Sequence, residues 1–358
     1  MAEKKTIKSA VSSAVNKNRA GFDLAKYKQS KNLITDSNKP ESWLKVSDAF
    51  SEATGLKGIP EGLLTVIRGH SDTGKSALGL EAIVSAQKAG KLPVLIITEM
   101  KFSWEHARMM GFEFEEIADP ETGEIISYEG NFIYTDLDQT PTIEKVAEFM
   151  ADLLDEQDKG KLPYDLVFLW DCAGTIPCQQ SIDSKSQNNE WAAAAMSRNF
   201  GNYIDQRIMS SRKINRPYTN TFIVVNKIWV DKPATYGALP TVKSKGGNAL
   251  FSDAALVILF GNVTNSGTSK IKAQKDGREV EFAKRTKVSV EKEHIKGLTS
   301  AAKILITPHG FILDDKKQID LYKKQHANEW TAILGMEDFE LVEEADKLEN
   351  INDIQGEF

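Results

Sequence analysis

The stretch that most limits what this chain can fold into is residues 63–76, Leu-Leu-Thr-Val-Ile-Arg-Gly-His-Ser-Asp-Thr-Gly-Lys-Ser. Leu63 to Ile67 are mostly β-favouring and read as a buried strand. Gly69, His70, Ser71, Asp72, Thr73, Gly74, Lys75 and Ser76 then fit G-x-x-x-x-G-K-[ST] without mismatch. Ala77 to Ala89 place Leu80, Ile83 and Val84 at helical spacing and stop at Gly90. A bare glycine-rich turn matches such a pattern by chance. The flanking strand and helix supply the context that a phosphate loop needs.

That order predicts an α/β fold and a definite chemistry. Gly69 and Gly74 let the backbone turn tightly, so that successive N–H groups face one anion. The helix N-terminus adds its positive end. Lys75 would reach the β- and γ-phosphates of ATP, and the Ser76 hydroxyl would ligate Mg²⁺. Asp72 is the odd member, a carboxylate in an anion cradle. Because the cradle is backbone, its side chain is free to point to solvent.

With 358 residues the chain has room for one large α/β domain with appendages, or for two domains. Its 41% hydrophobic and 27% charged residues are ordinary for a soluble protein. The net charge of −6 hides an asymmetry between the ends. Residues 1–45 are rich in Lys and Arg, whereas residues 337–358 carry nine acids against Lys347. This suggests an interaction arm and a repulsive tail, with two solvated termini as the alternative. Cys172 and Cys178 form no metal pattern, and nothing argues for a disulfide framework. The expectation is therefore a cytoplasmic protein, with no secretory signal and no apolar run long enough to span a membrane.

In chain order, Trp43, Val46 and Phe50 suggest a short helix at the end of a basic N-terminal arm. The second strand, Val94–Thr98, ends at Glu99. In an open α/β sheet the carboxyl end of a strand borders the ligand crevice. Glu99 there would polarise the water that attacks the γ-phosphate, although a surface or capping Glu looks the same. Leu166–Trp170 form a buried strand ending at Asp171, the Walker B arrangement, which would face Mg²⁺ opposite Ser76. Residues 179–190 are polar, and a long helical segment runs from Trp191 towards Ser211.

Thr221–Val225 give another buried strand, followed by Asn226 and Lys227. Residues 228–248 read as a basic loop. Lys232, Lys243 and Lys245 are interleaved with Trp229 and Tyr236 and close on Gly246, Gly247 and Asn248. Such a loop suits single-stranded nucleic acid, through lysine–phosphate contact and ring stacking; a plain solvated loop is the alternative. Ala254–Phe260 is a further strand and residues 264–280 a polar loop or hairpin. Lys287–Lys292, Lys303–Thr307 and Gly310–Leu313 read as antiparallel additions. Gln318–Leu334 reads as one last helix before the acidic tail.

Several of these features coincide in order: Ile59-Pro60-Glu61-Gly62, the phosphate loop, Thr98-Glu99, Glu105–Gly111, Asp171, Asn226 and Gly246-Gly247-Asn248-Ala249-Leu250. Together they resemble the RecA recombinase family, with its phage UvsX-like members the nearest in pattern. Those members share the Val290-Glu291-Lys292 stretch and an acidic carboxyl tail. The resemblance runs from about residue 55 to 313. It implies a RecA-like ATPase core with a mostly parallel sheet (55–313), an N-terminal helical and oligomerising arm (1–54), and a C-terminal helix with acidic tail (314–358).

The resemblance further implies Glu99 as catalytic base, Lys75 on the phosphates, and Lys227 as the switch that senses the γ-phosphate. Ser76 and Asp171 would hold Mg²⁺. Residues 179–190 and 229–247 would be two DNA-binding loops, with Lys232, Lys243, Lys245, Gly246, Gly247 and Asn248 as contacts. Lys292 and His294 would reach a neighbouring subunit's ATP. The implied partners are single-stranded DNA, a homologous duplex, further copies of the chain in a head-to-tail helical filament, and single-strand-binding or mediator proteins.

The chain departs from the family pattern at Lys227, where Gln or His is common, and at Cys172, where Ser is usual. At His294 a Lys is common, which would make that contact respond to pH. Two rivals remain. A replicative helicase shares this core but would need a larger N-terminal collar. A nucleotide-gated coat or mediator protein would bind single strands without exchanging them.

Overall fold

A computed structural model describes residues 38–99, 101–186, 188–231, 241–244, 246–247, 249–263, 265–335 and 339–345. The chain divides into two units. One comprises residues 1–40 and 213–217, in which Asn38 bridges Lys213 antiparallel. The other holds everything discussed below. The expected N-terminal arm up to residue 37, the tail from 346, and Lys232, Tyr236, Lys245 and Asn248 lie outside the described residues.

The elements follow in order as β1 (Trp43–Leu44), α1 (Asp48–Thr54), β2 (Ile59–Pro60), β3 (Leu64–Gly69), α2 (Lys75–Lys88), β4 (Leu92–Ile97), α3 (Trp104–Met109), β5 (Glu115–Ala118), β6 (Ile125–Glu129) and β7 (Ile133–Asp136). Next come α4 (Ile143–Asp158), β8 (Leu166–Asp171), α5 (Gln179–Asp183), α6 (Asn189–Met196), a π-helical segment (Ser197–Ile204), α7 (Asp205–Ser210), β9 (Thr221–Asp231), β10 (Thr241–Ser244) and α8 (Ala249–Asp253). The last are β11 (Leu256–Phe260), β12 (Ser269–Lys275), β13 (Arg278–Glu293), β14 (Ser300–Thr307), β15 (Gly310–Leu313), α9 (Lys316–Gln325), α10 (Ala327–Leu334) and β16 (Glu340–Ala345).

One large sheet organises the molecule, in the order β15-β14-β13-β11-β3-β9-β8-β4-β7. From β11 to β7 the neighbours are parallel; from β11 to β15 they are antiparallel. The parallel strands are apolar on both faces, as a sheet covered on both sides requires. Alternate residues feed two cores. Ile67, Leu95, Leu169, Val225 and Ile258 meet Leu78 and Ile83 of α2. Val66, Ile96, Trp170, Val224 and Val257 meet Met150 and Leu154 of α4 and Phe200 and Ile204 of the π segment. Helix α4 starts where the Thr142 hydroxyl accepts the Lys145 amide, and it turns Val146, Met150 and Leu154 inward at helical spacing. Each such side chain contributes about 1.5–3 kcal/mol by leaving water.

A third, smaller core lies at the far end of β12 and β13. Phe282 is fully buried there among Tyr322, Trp330 and Phe339.

Five expectations are corrected. Trp43–Phe50 is not one helix, because Trp43 and Leu44 pair with β2 and the helix begins only after Ser47, whose hydroxyl caps it. Residues 228–231 and 241–244 are not loop: β9 runs on to Asp231 and β10 pairs back on it. Residues 179–183 form the short helix α5. Gln318–Leu334 is broken at His326, whose φ of −111° and ψ of 24° leave the helical region. Part of the acidic end is ordered as β16, which pairs with β12 because Phe339 and Leu341 pack into the third core while Ser269 and Arg285 engage Glu343.

Candidate functional site

Strand order and register assemble the site. Gly69 pairs with Lys227, Val225 with Asp171, and Asp171 with Ile97. The carboxyl ends of β3, β8 and β4 therefore stand in one row with Val225–Lys227 of β9, which runs on past them to Asp231, at the crevice where open α/β sheets bind ligands. The Asp171 carbonyl accepts the amides of Thr98 and Glu99, at 2.8 and 3.2 Å. The buried Thr98 hydroxyl donates to the Cys172 carbonyl and accepts from Trp170 Nε1, while the Thr175 hydroxyl is within 3.1 Å of the Thr98 carbonyl. These bonds knit the β4 and β8 ends together and hold Glu99 beside Asp171. The Asp171–Cys172 peptide is cis.

The phosphate loop is shaped as its sequence requires. A Cβ on Gly69 would stand 2.4 Å from the Phe260 carbonyl oxygen. Gly74 has φ +104° and a Cβ there would stand 2.6 Å from Ile306 Cδ1. Asp72 occupies the left-handed region at φ 57° and is exposed, so its carboxylate faces solvent. The His70 carbonyl accepts from the Thr73 hydroxyl at 2.9 Å and from the Lys75 ammonium, and the His70 ring reaches the Val263 carbonyl at 3.2 Å. Ser71 and Ser76 are exposed at the mouth.

Ser71, Asp72, Lys75, Ser76, Glu99, Asp171 and Lys227 line one cleft of about 300 Å³, closed on its far wall by Phe102, Ser103 and His106. Burial pulls the Lys75 ammonium below the ordinary lysine value, against the opposing pull of Asp171. Burial raises Asp171, which the Ser76 hydrogen bond partly counters and the Glu99 charge reinforces. At Glu99 burial also raises the carboxyl. The Lys227 ammonium at 2.7 Å, the Cys172 thiol at 3.4 Å and Lys101 at 3.5 Å outweigh it, so the group is held below the ordinary glutamate value. Lys227 is correspondingly raised: desolvation lowers it, but Glu99 and the neighbouring acids prevail. The Cys172 thiol is pushed up to about 12 by burial and by Asp171 and Glu99.

The oxygen donors of Ser76 and Asp171 suit a hard cation such as Mg²⁺, and the backbone cradle suits a polyphosphate. Lys227 and Glu99 were expected as separate parts; the structure joins them as an ion pair. Cys172 faces Glu99 and Thr175.

The remaining expected residues lie elsewhere. Lys292 is outside the cleft, its ammonium donating to the Phe251 and Ser252 carbonyls at the end of α8, at 3.0 and 2.7 Å. Burial lowers it against the pull of Asp253. His294 is exposed just beyond β13. Gly246 and Gly247 form a left-handed turn on α6, where added Cβ atoms would meet Met196 Cε and Ala193 Cβ at 2.9 Å each. The Gly246–Gly247 turn thus packs on α6, the helix that follows the first segment expected to bind DNA. The Lys243 backbone lies on β10 opposite Trp229.

Sequence reasoning missed the Thr98–Trp170–Thr175 bracing and the ion pair of Arg68 with Glu291, bonded at 2.6 and 3.0 Å. Only a Thr and a Trp at strand ends hinted at the first; nothing local marks the second. No helix among the described residues is long and apolar enough to cross a membrane.

Residues 30–129 match the RecA N-terminal domain family. Over shorter spans the chain is similar to protein RecA of Chloroherpeton thalassium, at 38% identity over 80 residues, 22% of each chain. It is similar to protein RecA of Ureaplasma parvum serovar 3, at 32% over 104 residues, 28% of this chain and 31% of the other. A third similarity is to protein RecA of Corynebacterium glutamicum, at 29% over 135 residues, 35% and 36%. The aligned part thus spans about a fifth to a third of the length of these curated relatives. These likenesses and the mixed α/β sheet support a RecA-type core.

Proposed function

We propose that this chain is a RecA-type, DNA-dependent ATPase that assembles on single-stranded DNA and promotes pairing and strand exchange with a homologous duplex. The observation that carries the reading is the convergence of Lys75, Ser76, Asp171 and Glu99 on one cleft at the carboxyl ends of the parallel strands β3, β4 and β8. In this reading the loop amides and Lys75 bind the phosphates of ATP, Lys75 exchanging the His70 carbonyl for a phosphate oxygen. Ser76 and Asp171 hold Mg²⁺, whose positive charge offsets that of the phosphates. Glu99, kept ionised by Lys227, accepts a proton from the attacking water. A γ-phosphate competes with Glu99 for Lys227, so the ion pair reports nucleotide state.

Lys292 and His294 stand outside their own cleft, the placement that a contact to a neighbouring subunit's ATP requires. Head-to-tail repetition of such a contact gives an open helical filament. Single-stranded DNA would run past Lys232, Lys243, Lys245, Gly246, Gly247 and Asn248, held through phosphates with little sequence preference. Within the family the UvsX-like phage members remain the preferred comparison, on Val290-Glu291-Lys292 and the acidic end, with the host cytoplasm as the place of action.

The test pairs ATPase assays with electron microscopy on single-stranded DNA and a slowly hydrolysed ATP analogue. Glu99→Gln should lose about 100-fold or more in turnover and keep nucleotide-dependent filaments. Lys75→Ala should lose both. Normal hydrolysis by either variant, or closed rings in place of helices, would overturn the reading; rings would favour the helicase. Filaments that coat DNA without exchanging strands would reduce it to the coat or mediator protein.

A further inference from the structure

Glu99 is held through both of its carboxylate oxygens, by residues that belong to different strands. The Lys227 ammonium, on β9, donates to Oε1 at 2.7 Å. The Cys172 thiol, directly after β8, donates to Oε2 at 3.4 Å. We propose that Cys172 is a positioning residue for the base: its thiol keeps hold of Oε2, so that Oε1 is the oxygen that takes the proton from water. This rests on the ATPase reading above and adds which atom acts and what orients it.

Backbone bonds on both sides fix where the thiol points. The Asp171 carbonyl accepts the Thr98 and Glu99 amides at 2.8 and 3.2 Å, and the Ala173 amide donates to the Val225 carbonyl at 3.0 Å. The Cys172 carbonyl itself accepts from the Thr98 and Thr175 hydroxyls, at 2.9 and 2.8 Å. Trp170 Nε1 donates to the Thr98 hydroxyl oxygen at 3.1 Å and so turns that hydroxyl's own proton towards Cys172. Trp170, Cys172 and Thr98 are all buried, so these bonds are sheltered from water. The thiol is thereby delivered to one spot, nearer to Glu99 Oε2 than to Thr175 Oγ1, which lies 3.9 Å away.

A glutamate carboxylate turns broadly about its last side-chain bond, and a donor on each oxygen fixes its plane. Lys227 is the donor that a γ-phosphate would draw away. Lys101 stands 3.5 Å from the same oxygen, but at 75% exposure it holds Oε1 weakly. Cys172 is not among the residues that line the cleft, and its thiol carries no charge for the phosphate to attract. Oε2 therefore stays held when Lys227 leaves, and Oε1 is presented to the cleft with a free lone pair.

The choice of a thiol suits this part. It is a weak donor, so it orients the carboxylate without opposing proton uptake as a second ammonium would. A base acts only within hydrogen-bond reach of the proton it takes, so a carboxylate that swings away loses turnover while the nucleotide stays bound. The phosphate-binding groups, the loop amides and Lys75, do not depend on Cys172. A buried cysteine that merely fills space as a small apolar residue makes no such distinction between binding and turnover.

The test is steady-state ATP hydrolysis by the full chain on single-stranded DNA, with affinity for a slowly hydrolysed ATP analogue measured separately by calorimetry. Cys172→Ala should lower kcat about 3–10-fold, the worth of one ordinary hydrogen bond, and leave the analogue's affinity unchanged. Cys172→Ser keeps a donor and should recover part of the loss. A space-filling cysteine gives the reverse order, because a buried hydroxyl is tolerated less well than a methyl group. Glu99→Gln with and without the Cys172 change isolates the coupling: with the base gone there is nothing to orient, so the second substitution should add about 2-fold at most. Circular dichroism checks folding, and the coupling is read with whichever of the alanine and serine variants is folded. Unchanged kcat in folded Cys172→Ala, serine no better than alanine, or an equal fall in the Glu99→Gln background would overturn this role and leave the ATPase reading intact. A wild type that does not hydrolyse ATP on DNA would overturn that reading and this role together.

Discussion

Asp205 offers a quantitative test of how the second core is built. It lies at the start of α7 at 2% exposure, and neither carboxylate oxygen has a hydrogen-bond partner. Burial, and secondarily the charge of Asp253, push its pKa from 3.8 to about 7. The sign follows from linkage. An unfolded chain releases this proton near the ordinary value, whereas the folded chain holds it to near neutrality. Folding is therefore unpenalised at low pH and loses stability as pH rises through the interval. Each pH unit between the two values is worth about 1.4 kcal/mol, so the ceiling is on the order of 4 kcal/mol, and relaxation or water entry brings it towards 2.

Asp205→Asn removes the ionisation and keeps the shape. Urea unfolding of both proteins at pH 4.5, 6 and 8 measures the difference. The variant should be neutral or slightly weaker at the lowest pH, since its amide is also buried without a partner, and should gain about 2–4 kcal/mol on wild type by pH 8. Asp253→Asn should recover a smaller part. A difference that is flat across this range, or an Asp205→Asn protein that is less stable at pH 8, would refute the reasoning.

The ion pair in the cleft gives the opposite profile. Lys227→Met should cost about 0.5–1.5 kcal/mol after discounting for solvent screening. Because Glu99 is lowered and Lys227 raised, the loss should be present at neutral pH. It should shrink as pH falls through the folded Glu99 value or rises past 10.5, the ordinary lysine value, as denaturant titrations across pH would report. Gly74→Ala meets both a positive φ and Ile306; it should lower the melting temperature and abolish nucleotide binding measured by calorimetry. Phe282→Ala empties the third core and should cost about 3–5 kcal/mol, with faster proteolysis between β15 and β16 as the local readout.

The sequence made the chemistry of the phosphate loop legible because that chemistry is local. Eight consecutive residues set the turn, the amides and the lysine. Glu99 and Asp171 were readable as candidates from the same logic, each ending a strand of apolar residues. Their contact with Lys227 was not, because it depends on β9 lying between β3 and β8, an order that no residue announces.

Tertiary pairing hid other features. Residues 340–345 look like solvated acid in sequence, yet Glu343 is engaged by Ser269 and Arg285 from neighbouring strands. His326 ends one helix and begins another through packing on His309, a partner 17 positions away in sequence. Basic, turn-forming residues disguised β9 and β10, whose pairing extends a strand that looked finished at Val225.

Strand β13 runs unbroken from Arg278 to Glu293, about 50 Å of extended chain. Its first half is walled by the aromatic cluster around Phe282. Its second half is laced to β11 and carries Glu291, clamped by Arg68, and Lys292 at the outer face. A single covalent rod thus spans the C-terminal helices and the residue proposed to touch the next subunit. Its pairing shifts register at Phe282 and at Glu291, the two residues held by the aromatic cluster and by Arg68, so the course of the strand is set at both of its ends. The C-terminal helices and Lys292 thus stand on one continuous strand, fixed at two points along its length.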